Sequence, residues 1–363
     1  MENKLLSTKK IKAFKSQFYN YHFDKETGFF ARWGESMEED PSYSPFGPEI
    51  LDIEITKGTC KGNCSFCYKC NGNDQEVYNM TFEEFKNIFD KMPIILTQIA
   101  FGITDIYANP DFFKMMEYAR ENGVIPNYTA HGLDFDDYAI QKTVELCGVV
   151  CISVVNKEKT FESIRRLYKA GMKLINIHYV LAEETYDEAI ELIDEIKDSD
   201  LAEMINAIVF LDYKPKGANP DHMHHLTKIE KFVNLINILE ESELNFGFDS
   251  CSGPLFYKSF ENKEARDMIE LFAEPCESGI FSSYINCTGD FYPCSFSEGE
   301  GEWKTGVSVL EANDFLNDVW EHKRTKEWRE NLLNSSRNCK CYFSKICRSC
   351  TVFDSINICK NEN

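Results

Sequence analysis

Three cysteines in the stretch TCKGNCSFCYKC constrain this sequence more than any other feature. Cys60, Cys64 and Cys67 form the pattern C-x3-C-x2-C, and the aromatic residue Phe66 stands directly before the last cysteine. Three thiolates this close together can bind one iron–sulfur cluster and leave its fourth iron without a protein ligand. An iron with an open coordination position can bind a further molecule and support chemistry. A structural zinc site completed by Cys70 is the alternative interpretation of the same residues.

Length, charge and cysteine content limit the classes of protein and partner. The chain has 363 residues, of which 43% are hydrophobic and 27% charged, and this is enough for a barrel-sized domain and a smaller one. A net charge of -21 disfavours binding to phosphate backbones, so we expect no nucleic-acid partner. No stretch approaches the roughly 18 apolar residues that span a membrane, and the N-terminus lacks the apolar core of a secretion signal. We therefore expect a cytoplasmic protein that does not enter the membrane, whose 15 cysteines bind metal rather than form disulfides.

A repeated alternation of strand and helix patterns begins at residue 49. The predicted strands are 50–56, 95–102, 124–129, 149–155, 173–181 and 205–211. Most are continuous apolar runs, which is typical of parallel strands covered on both faces. We predict an α/β fold in which six strand–helix units form a partial (β/α)6 TIM-like barrel. The three-cysteine loop follows the first strand, at the carboxyl ends of the strands, where such barrels place their chemistry.

Capping signals predict where the intervening helices begin and end. The signals are two capping boxes, Thr81–Glu84 and Thr185–Glu188, a helix start at Asn109–Pro110 with a stop at Gly123, and a helix bracketed by Thr160 and Gly171.

Composition divides the chain into three parts. Residues 1–48 are mixed and rich in aromatic side chains, with a hairpin predicted around Lys25–Gly28, and we interpret them as an N-terminal elaboration. Residues 49–251 carry the strand–helix units. The regularity fades in residues 252–363 while cysteines return, which predicts a small cysteine-rich iron–sulfur domain.

The motifs resemble the radical S-adenosylmethionine (radical SAM) superfamily, and within it the members that carry a C-terminal SPASM domain. C-x3-C-x-Phe-C after the first strand matches the signature of the superfamily, and the resemblance covers about residues 50–359. The SPASM pattern is matched by Cys276-x12-Gly289-x4-Cys294 and, with two outer spacings one residue short, by Cys339-x-Cys341-x5-Cys347-x2-Cys350 followed by Cys359.

The resemblance implies a set of metal ligands. Cys60, Cys64 and Cys67 would ligate a [4Fe-4S] cluster whose unique iron is chelated by S-adenosylmethionine. One or two auxiliary [4Fe-4S] clusters are also implied, with the ligands Cys276, Cys294 and Cys350 for the first and Cys339, Cys341, Cys347 and Cys359 for the second. Cys287 is the candidate for the fourth ligand of the first auxiliary cluster, and an open iron at that cluster is the alternative. These assignments leave Cys70, Cys147, Cys151 and Cys251 without a role in metal binding.

The resemblance also implies contacts to S-adenosylmethionine. Family members commonly end the second strand in Gly-Gly-Glu-Pro, and here Ile103-Thr104-Asp105 occupies the Gly-Gly-Glu positions. Thr104 and Asp105, together with Phe66, would therefore lie at the cofactor, with Asp105 accepting the methionine ammonium group. A simple loop role for Asp105 is the alternative.

Two further residues resemble the serine and arginine with which family members hold the carboxylate and ribose of S-adenosylmethionine. Ser153 lies in the fourth strand and Arg165 in the helix after it. The planar guanidinium group suits Arg165 to a carboxylate, and Arg166 competes for the same role. The alternative for Ser153 is a hydroxyl that bonds to the backbone.

Together these residues imply an enzyme that reductively cleaves S-adenosylmethionine to a 5′-deoxyadenosyl radical. The implied substrate is a ribosomally synthesised peptide, modified by a cross-link or by oxidation of a side chain. The implied electron donor is a flavodoxin or ferredoxin. Two alternatives stay open: modification of a small molecule or of a sulfatase-type protein, and a non-enzymatic zinc or iron–sulfur protein.

Overall fold

A sheet of four antiparallel strands opens the chain in the computed structural model, which describes residues 3–72, 76–217, 219–261, 264, 266–269 and 273–360. Its strands, paired in chain order, are β1 (Lys4–Ser7), β2 (Ile11–Lys15), β3 (Asn20–Asp24) and β4 (Phe30–Trp33). The hairpin predicted around Lys25–Gly28 is confirmed, because these residues connect β3 to β4. Asp24 holds the turn by accepting the backbone N–H groups of Glu26 and Thr27.

A second, larger sheet contains seven parallel strands that lie side by side in chain order within the described part of the chain. The seven parallel strands are β5 (Ile50–Glu54), β8 (Gln98–Gly102), β9 (Ile125–Ala130), β10 (Val150–Ser153), β11 (Ile175–Leu181), β12 (Ala207–Asp212) and β13 (Phe246–Phe248). Between β5 and β8 in the chain, a short antiparallel pair, β6 (Thr56–Lys57) with β7 (Tyr78–Asn79), lies next to the cysteine loop and outside this sheet.

A helix separates each of these parallel strands from the next. The helices are α1 (Phe82–Lys91), α2 (Phe112–Glu121), α3 (Asp137–Leu146), α4 (Lys157–Ala170), α5 (Tyr186–Lys197) and α6 (Ile229–Ser242). The predicted α/β fold with six strand–helix units and a mostly parallel sheet is therefore confirmed. Strand β13 follows the sixth unit and was not predicted, because its three residues are too few to show a pattern.

The strands bury one face more deeply than the other. In β11, Ile175 and Ile177 are fully buried against the helices, whereas Asn176 and His178 point to the opposite face and are only partly buried. In β5, Leu51 and Ile53 are buried in the same way. The expectation that both faces are covered is wrong for the inner face, which lines a cavity instead.

The C-terminal part extends the same sheet. Its elements are α7 (Gly253–Phe260), α8 (Arg266–Ile269), β14 (Ser282–Ile285), β15 (Asp290–Tyr292), β16 (Val307–Ser308) and α9 (Lys323–Leu333). Strand β14 pairs in parallel with β5, and β15 and β16 continue the sheet as antiparallel strands. Gly289 occupies the tight turn between β14 and β15 with φ +82°, as its sequence context predicted. Cysteines of the C-terminal part are thereby held close to the first parallel strand.

The two predicted capping boxes had different outcomes. At the start of α1, Thr81 accepts the N–H of Glu84 at 3.2 Å while Glu84 accepts the N–H of Thr81 at 2.8 Å, so this box is confirmed. The box predicted at Thr185 is wrong. The Thr185 hydroxyl instead donates to the carbonyl of Val180 and accepts the N–H of Ala182, which closes the loop before α5.

Two other helix boundaries differ from the sequence expectation by a few residues. Gly171 ends α4 in the left-handed conformation, as predicted, but α4 begins at Lys157 and contains Thr160 as a buried helical residue. Helix α2 begins at Phe112, three residues after Asn109.

The N-terminal sheet covers the amino ends of neighbouring strands of the large sheet. Aromatic side chains of β2 and β3, including Phe14 and Tyr21, form one buried cluster with Ile95 and Ile125. The Tyr21 hydroxyl donates to the Ile95 carbonyl at 3.0 Å. Among the described helices, none combines the length and apolar character needed to cross a bilayer.

We predict that Asn109→Ala lowers the free energy of unfolding by about 1–3 kcal/mol, because the Met80 carbonyl loses its side-chain donor while the Ile55 carbonyl keeps only the N–H of Met80. The Asn109 amide donates to the carbonyls of Ile55 at 2.8 Å and Met80 at 2.9 Å, and the side chain is 3% exposed. Urea unfolding measures the change. The control is Asn122→Ala, which removes an exposed bond within one helix and should cost less than about 0.5 kcal/mol. Equal losses in both variants would contradict the role assigned to Asn109.

Candidate functional site

The three-cysteine loop follows β5 and β6 and folds as a series of tight turns. The N–H of Asn63 donates to the carbonyl of Cys60, and the N–H of Cys67 to the carbonyl of Cys64. The N–H of Cys60 donates to the carbonyl of Gly72, and the N–H of Gly72 donates to the carbonyl of Gly58, which closes the base of the loop. These turns bring the sulfurs of the three cysteines to one side, where all three line the same cavity.

That cavity has a volume of about 400 Å³ and lies on the inner face of the parallel strands. Its walls come from β5 and β8 to β12, from the cysteine loop, and from Tyr284 and Ser295 of the C-terminal part. The carboxyl ends of parallel strands meet here, which is the position where α/β folds bind ligands. The predicted placement of the cysteine loop agrees with this geometry.

Burial and the neighbouring thiols make Cys60 and Cys64 resist ionisation. Burial together with the neighbouring Cys67 and Cys60 raises the pKa of Cys64 to about 11, and burial also raises the pKa of Cys60. Three thiolates this close repel each other unless a cation lies between them. A bound metal supplies that positive charge and deprotonates coordinating thiols, so the arrangement fits a metal cluster.

Asp105 contacts the cysteine loop and a histidine. Its carboxylate accepts the N–H of Lys61 at 3.1 Å and lies 2.5 Å from Nε2 of His131. The Nδ1 atom of His131 accepts the N–H of Leu133. The ring hydrogen is therefore on Nε2, which donates a hydrogen bond to Asp105. Atoms of Cys60, Asp105 and His131 that can bind metal all lie within 4.8 Å of one another. Asp105 is thus adjacent to the expected cluster, but its carboxylate already has two protein donors.

Thr104 and Ser153 both line the cavity, as their sequence positions predicted. The Thr104 hydroxyl is buried and has no hydrogen-bond partner within the described residues. Such an orphaned polar group is costly unless a ligand satisfies it. Gly102 and Ala100 line the same wall of the cavity. Because Gly102 has no side chain and Ala100 only a methyl group, they leave space in the cavity beside Thr104.

Arg165 does not reach this cavity. Its guanidinium group binds Asp200 at 2.9 Å on the outer surface of α4, and both side chains are exposed. Arg166, the alternative, donates to the carbonyl of Phe135 at 2.6 Å and binds Asp137. The inward face of α4 carries apolar side chains such as Ile164 instead. The structure therefore differs from the expectation that one of these arginines holds the cofactor.

Phe66 also lies outside the described cavity lining. It packs against a small apolar cluster formed by Ala182, Tyr213 and Met223, at the carboxyl ends of β11 and β12. This contact anchors the cysteine loop to the far side of the parallel strands.

A buried network that the sequence interpretation missed joins the cysteine loop to two other segments. The ammonium group of Lys69 binds Glu298, lies 3.4 Å from Glu54 and donates to the Tyr284 hydroxyl at 2.6 Å. Tyr284 in turn donates to Glu54 at 3.2 Å. Burial alone would raise the pKa of Glu298, but the charge of Lys69 keeps it below its ordinary value. Asp52 and Glu54 in the otherwise apolar first strand were the sequence signal that could have indicated a polar network here.

Asp52 is the acid of the cavity without a hydrogen bond or ion pair among the described side chains. It lies on the inner face of β5 between Ala100 and Tyr284 of the adjacent strands, and it lines the cavity. The surrounding protein raises the pKa of Asp52 to about 6 by desolvation. His178 lines the same cavity, and burial lowers its pKa to about 4, so it is neutral near pH 7.

The C-terminal cysteines form two groups. One cavity is lined by Cys339, Cys341, Cys347 and Cys359, which is the set implied for the second auxiliary cluster. Another cavity is lined by Cys276, Cys294 and Cys350, which is the set implied for the first, and also by Cys251.

Cys287 does not join either group. It lies in the turn between β14 and β15, where its N–H donates to Glu54 at 3.4 Å, and burial raises the pKa of its thiol to about 12. In the hairpin register, Cys294 falls roughly opposite Ser282, five residues from Cys287 and so about 15 Å away. The candidate fourth ligand taken from the sequence is therefore not placed at the first auxiliary site.

Comparisons with known proteins give matches among solved structures alone. No protein-family model and no curated protein matches the chain. SuiB of Streptococcus suis bound to its precursor peptide SuiA superposes with a TM-score of 0.71 at 14% identity, over 99% of this chain and 98% of SuiB. SuiB bound to S-adenosylmethionine gives 0.65 at 16% identity, over 88% and 75% of the two chains. Native anSMEcpe with bound AdoMet and a Cp18Cys peptide gives 0.59 at 15% identity, over 82% and 88%. At these identities the comparison shows that the chain shares the fold of SuiB and anSMEcpe.

We predict that Gly217→Ala destabilises the protein by about 1–3 kcal/mol more than Gly299→Ala. A Cβ atom at Gly217 would lie 2.3 Å from the carbonyl oxygen of Cys67, whereas one at Gly299 meets nothing within 4 Å. Both glycines have positive φ, at +104° and +82°, so the control carries comparable backbone strain. Denaturant unfolding measures the difference. A similar loss in both variants would show that Gly217 does not support the cysteine loop.

We predict that Asp52→Asn stabilises the protein relative to the parent as pH rises from about 4 to about 6. The pKa of Asp52 is about 6 in the folded chain and about 4 in the unfolded chain. The parent protein therefore loses stability as pH rises through that window, because the unfolded chain releases the proton more readily. Below the window Asp52 is protonated in both the folded and the unfolded chain. Above it the difference in stability between the variant and the parent is constant. Thermal unfolding midpoints across the window test the trend, with exposed Glu302→Gln as the control. A pH-independent difference would contradict the environment assigned to Asp52.

Proposed function

We propose that this protein is a radical S-adenosylmethionine enzyme that modifies a peptide. The observation that carries the proposal is the position of Cys60, Cys64 and Cys67. They line one cavity at the carboxyl ends of the parallel strands, in a chain that follows peptide-bound SuiB over nearly its whole length. In this proposal residues 49–251 form a partial (β/α)6 barrel, residues 1–48 an N-terminal elaboration and residues 252–363 an auxiliary cluster domain.

The residues present fit a [4Fe-4S] cluster with S-adenosylmethionine on its open iron. Among the described residues, three cysteines line the cavity and no fourth cysteine does, while the orphaned hydroxyl of Thr104 offers a polar contact. Ser153 lies in the same wall and is free to contact the methionine or ribose part. When bound, the pair would supply a 5′-deoxyadenosyl radical, which removes hydrogen from carbon atoms that no side chain can activate. An electron from a flavodoxin or ferredoxin would start each turnover.

The His131–Asp105 pair takes a supporting role in this proposal. Asp105 holds the N–H of Lys61 in the cysteine loop, and His131 holds Asp105. The pair therefore orients the loop segment next to Cys60 rather than chelating the methionine ammonium group. Departure from the Gly-Gly-Glu motif at Ile103-Thr104-Asp105 is consistent with this change of role.

Asp52 is the group best placed to exchange a proton with a substrate. It faces the cavity, has no partner among the described residues and has a pKa near neutrality, which suits a general base. Lys69 and Glu54 are neighbours in the same wall, but they already satisfy each other.

A peptide is favoured over a small molecule as substrate. SuiB was solved with a precursor peptide and anSMEcpe with a Cp18Cys peptide, so two proteins that share this fold bind peptides. A short peptide encoded next to this gene is the first substrate to test, with its mass followed after co-expression.

The triple variant Cys60→Ala, Cys64→Ala, Cys67→Ala tests the proposed function. We expect anaerobically reconstituted parent protein to bind about twelve irons, from three four-iron clusters, and to form 5′-deoxyadenosine when reduced with S-adenosylmethionine. We expect the triple variant to keep about eight irons and to lose 5′-deoxyadenosine formation, because it lacks the three cysteines that would hold the cofactor-binding cluster. Cys70→Ala is the matched control in the same loop and should keep both. Zinc at stoichiometry without visible absorption, or cleavage that survives the triple change, would overturn the proposal.

A further inference from the structure

The cavity between β13, α7 and the C-terminal segment is lined by four cysteines. They are Cys251, Cys276, Cys294 and Cys350. Three of them match the SPASM pattern, whereas Cys251 lies outside it, 25 residues before Cys276. No spacing in the sequence groups Cys251 with the other three cysteines.

We propose that Cys251 is the fourth ligand of the first auxiliary iron–sulfur cluster. This inference rests on the proposed function, because it takes the presence of that cluster from it. It assigns the cluster four cysteine ligands from this chain, so none of its irons is open to a substrate atom.

The fold fixes Cys251 at the cavity. The residue lies in a single 3-10 turn, Ser250–Ser252, between β13 and α7. Asp249 caps this turn by accepting the N–H of Ser252 at 3.2 Å and its hydroxyl at 2.9 Å. The Cys251 thiol is enclosed by protein and close enough to Cys276 and Cys294 for their charges to interact.

The other three cysteines have the surroundings of cluster ligands. The sulfur of Cys294 accepts the N–H of Phe296 at 3.4 Å, and the sulfur of Cys350 accepts those of Val352 and Phe353 at 3.4 and 3.3 Å. N–H groups directed at sulfur stabilise the negative charge of a cluster thiolate and adjust its reduction potential. The Cys276 sulfur lies 3.1 Å from the Ser278 hydroxyl.

A buried cation lies beside the same cavity. Lys214 lines it and forms an ion pair with Asp249, two residues before Cys251. A cluster with four thiolate ligands carries net negative charge, and a nearby ammonium group offsets part of that charge. The pair also explains why Cys251 sits on a capped turn, since Asp249 binds both Lys214 and the turn.

Cys287 is the competing candidate, and the hairpin geometry excludes it. Cys287 occupies the turn end of the β14–β15 hairpin, and Cys294 lies beyond the opposite end. Its neighbours are Glu54 and Lys57, which belong to the first parallel strand and the strand after it. Cys287 is not among the residues that line the cavity of Cys276, Cys294 and Cys350.

Full cysteine ligation defines what this cluster can do. With no open iron, the cluster exchanges electrons with the substrate and does not bind a substrate atom. In a peptide oxidation, one hydrogen atom leaves the substrate to the 5′-deoxyadenosyl radical. The remaining radical then gives one electron to an oxidised auxiliary cluster and one proton to a base.

The test compares Cys251→Ala with Cys287→Ala in the triple variant that lacks Cys60, Cys64 and Cys67. In that background all remaining iron belongs to the auxiliary clusters. We expect Cys251→Ala to produce a cluster with one labile iron, seen as a three-iron signal in electron paramagnetic resonance of the oxidised protein. We expect its reduced spectrum to change on addition of imidazole, because the opened iron can bind it. We expect Cys287→Ala to match the background in both measurements.

Two results would overturn the inference. One is an imidazole response in the background protein itself, which would show an open iron before any change. The other is a three-iron signal from Cys287→Ala with none from Cys251→Ala. Cys251→Ser guards against a folding defect, because serine oxygen keeps four irons bound and shifts the reduction potential instead. S-adenosylmethionine cleavage by the parent protein is measured separately, so failure of the proposed function is distinguishable from failure of this assignment.

Discussion

The buried ammonium group of Lys69 is the interaction on which the arrangement of the site depends. It joins the cysteine loop to Glu54 of the first parallel strand and to Glu298 and Tyr284 of the C-terminal part. Burying a charged group costs free energy unless the group is paired and hydrogen-bonded. Lys69 can therefore be buried here only when these segments supply its partners. The network thus couples the loop that carries the expected cluster to the segment that carries the auxiliary cysteines.

The polar inner face of the sheet is the second requirement of such a site. Outer residues such as Leu51 and Ile177 build the core against the helices, while Asp52 and His178 face the cavity. The position of Asp52 on this face raises its pKa to about 6 by desolvation, which lowers the stability of the protein near neutral pH.

Local patterns predicted much of the fold. The capping box at Thr81 depends on residues three apart, so its geometry follows from the sequence alone. The same pattern at Thr185 failed because the hydroxyl found nearer partners in the loop that ends β11. Arg165 failed for a related reason: spacing along a helix gives its position but not which face turns inward, and Asp200 holds it outside.

The sequence by itself determined the three-cysteine loop, the succession of strands and helices, and the grouping of Cys339, Cys341, Cys347 and Cys359, because each depends on spacing within one segment. The tertiary structure decided which cysteine lies with Cys276, Cys294 and Cys350 at one cavity. Cys251 and Cys287 stand equally outside the motif, and only the path of β13 and of the β14–β15 hairpin separates them. The physical reason is that a site assembled from distant segments depends on how strands pair across the sheet, which local spacing does not encode.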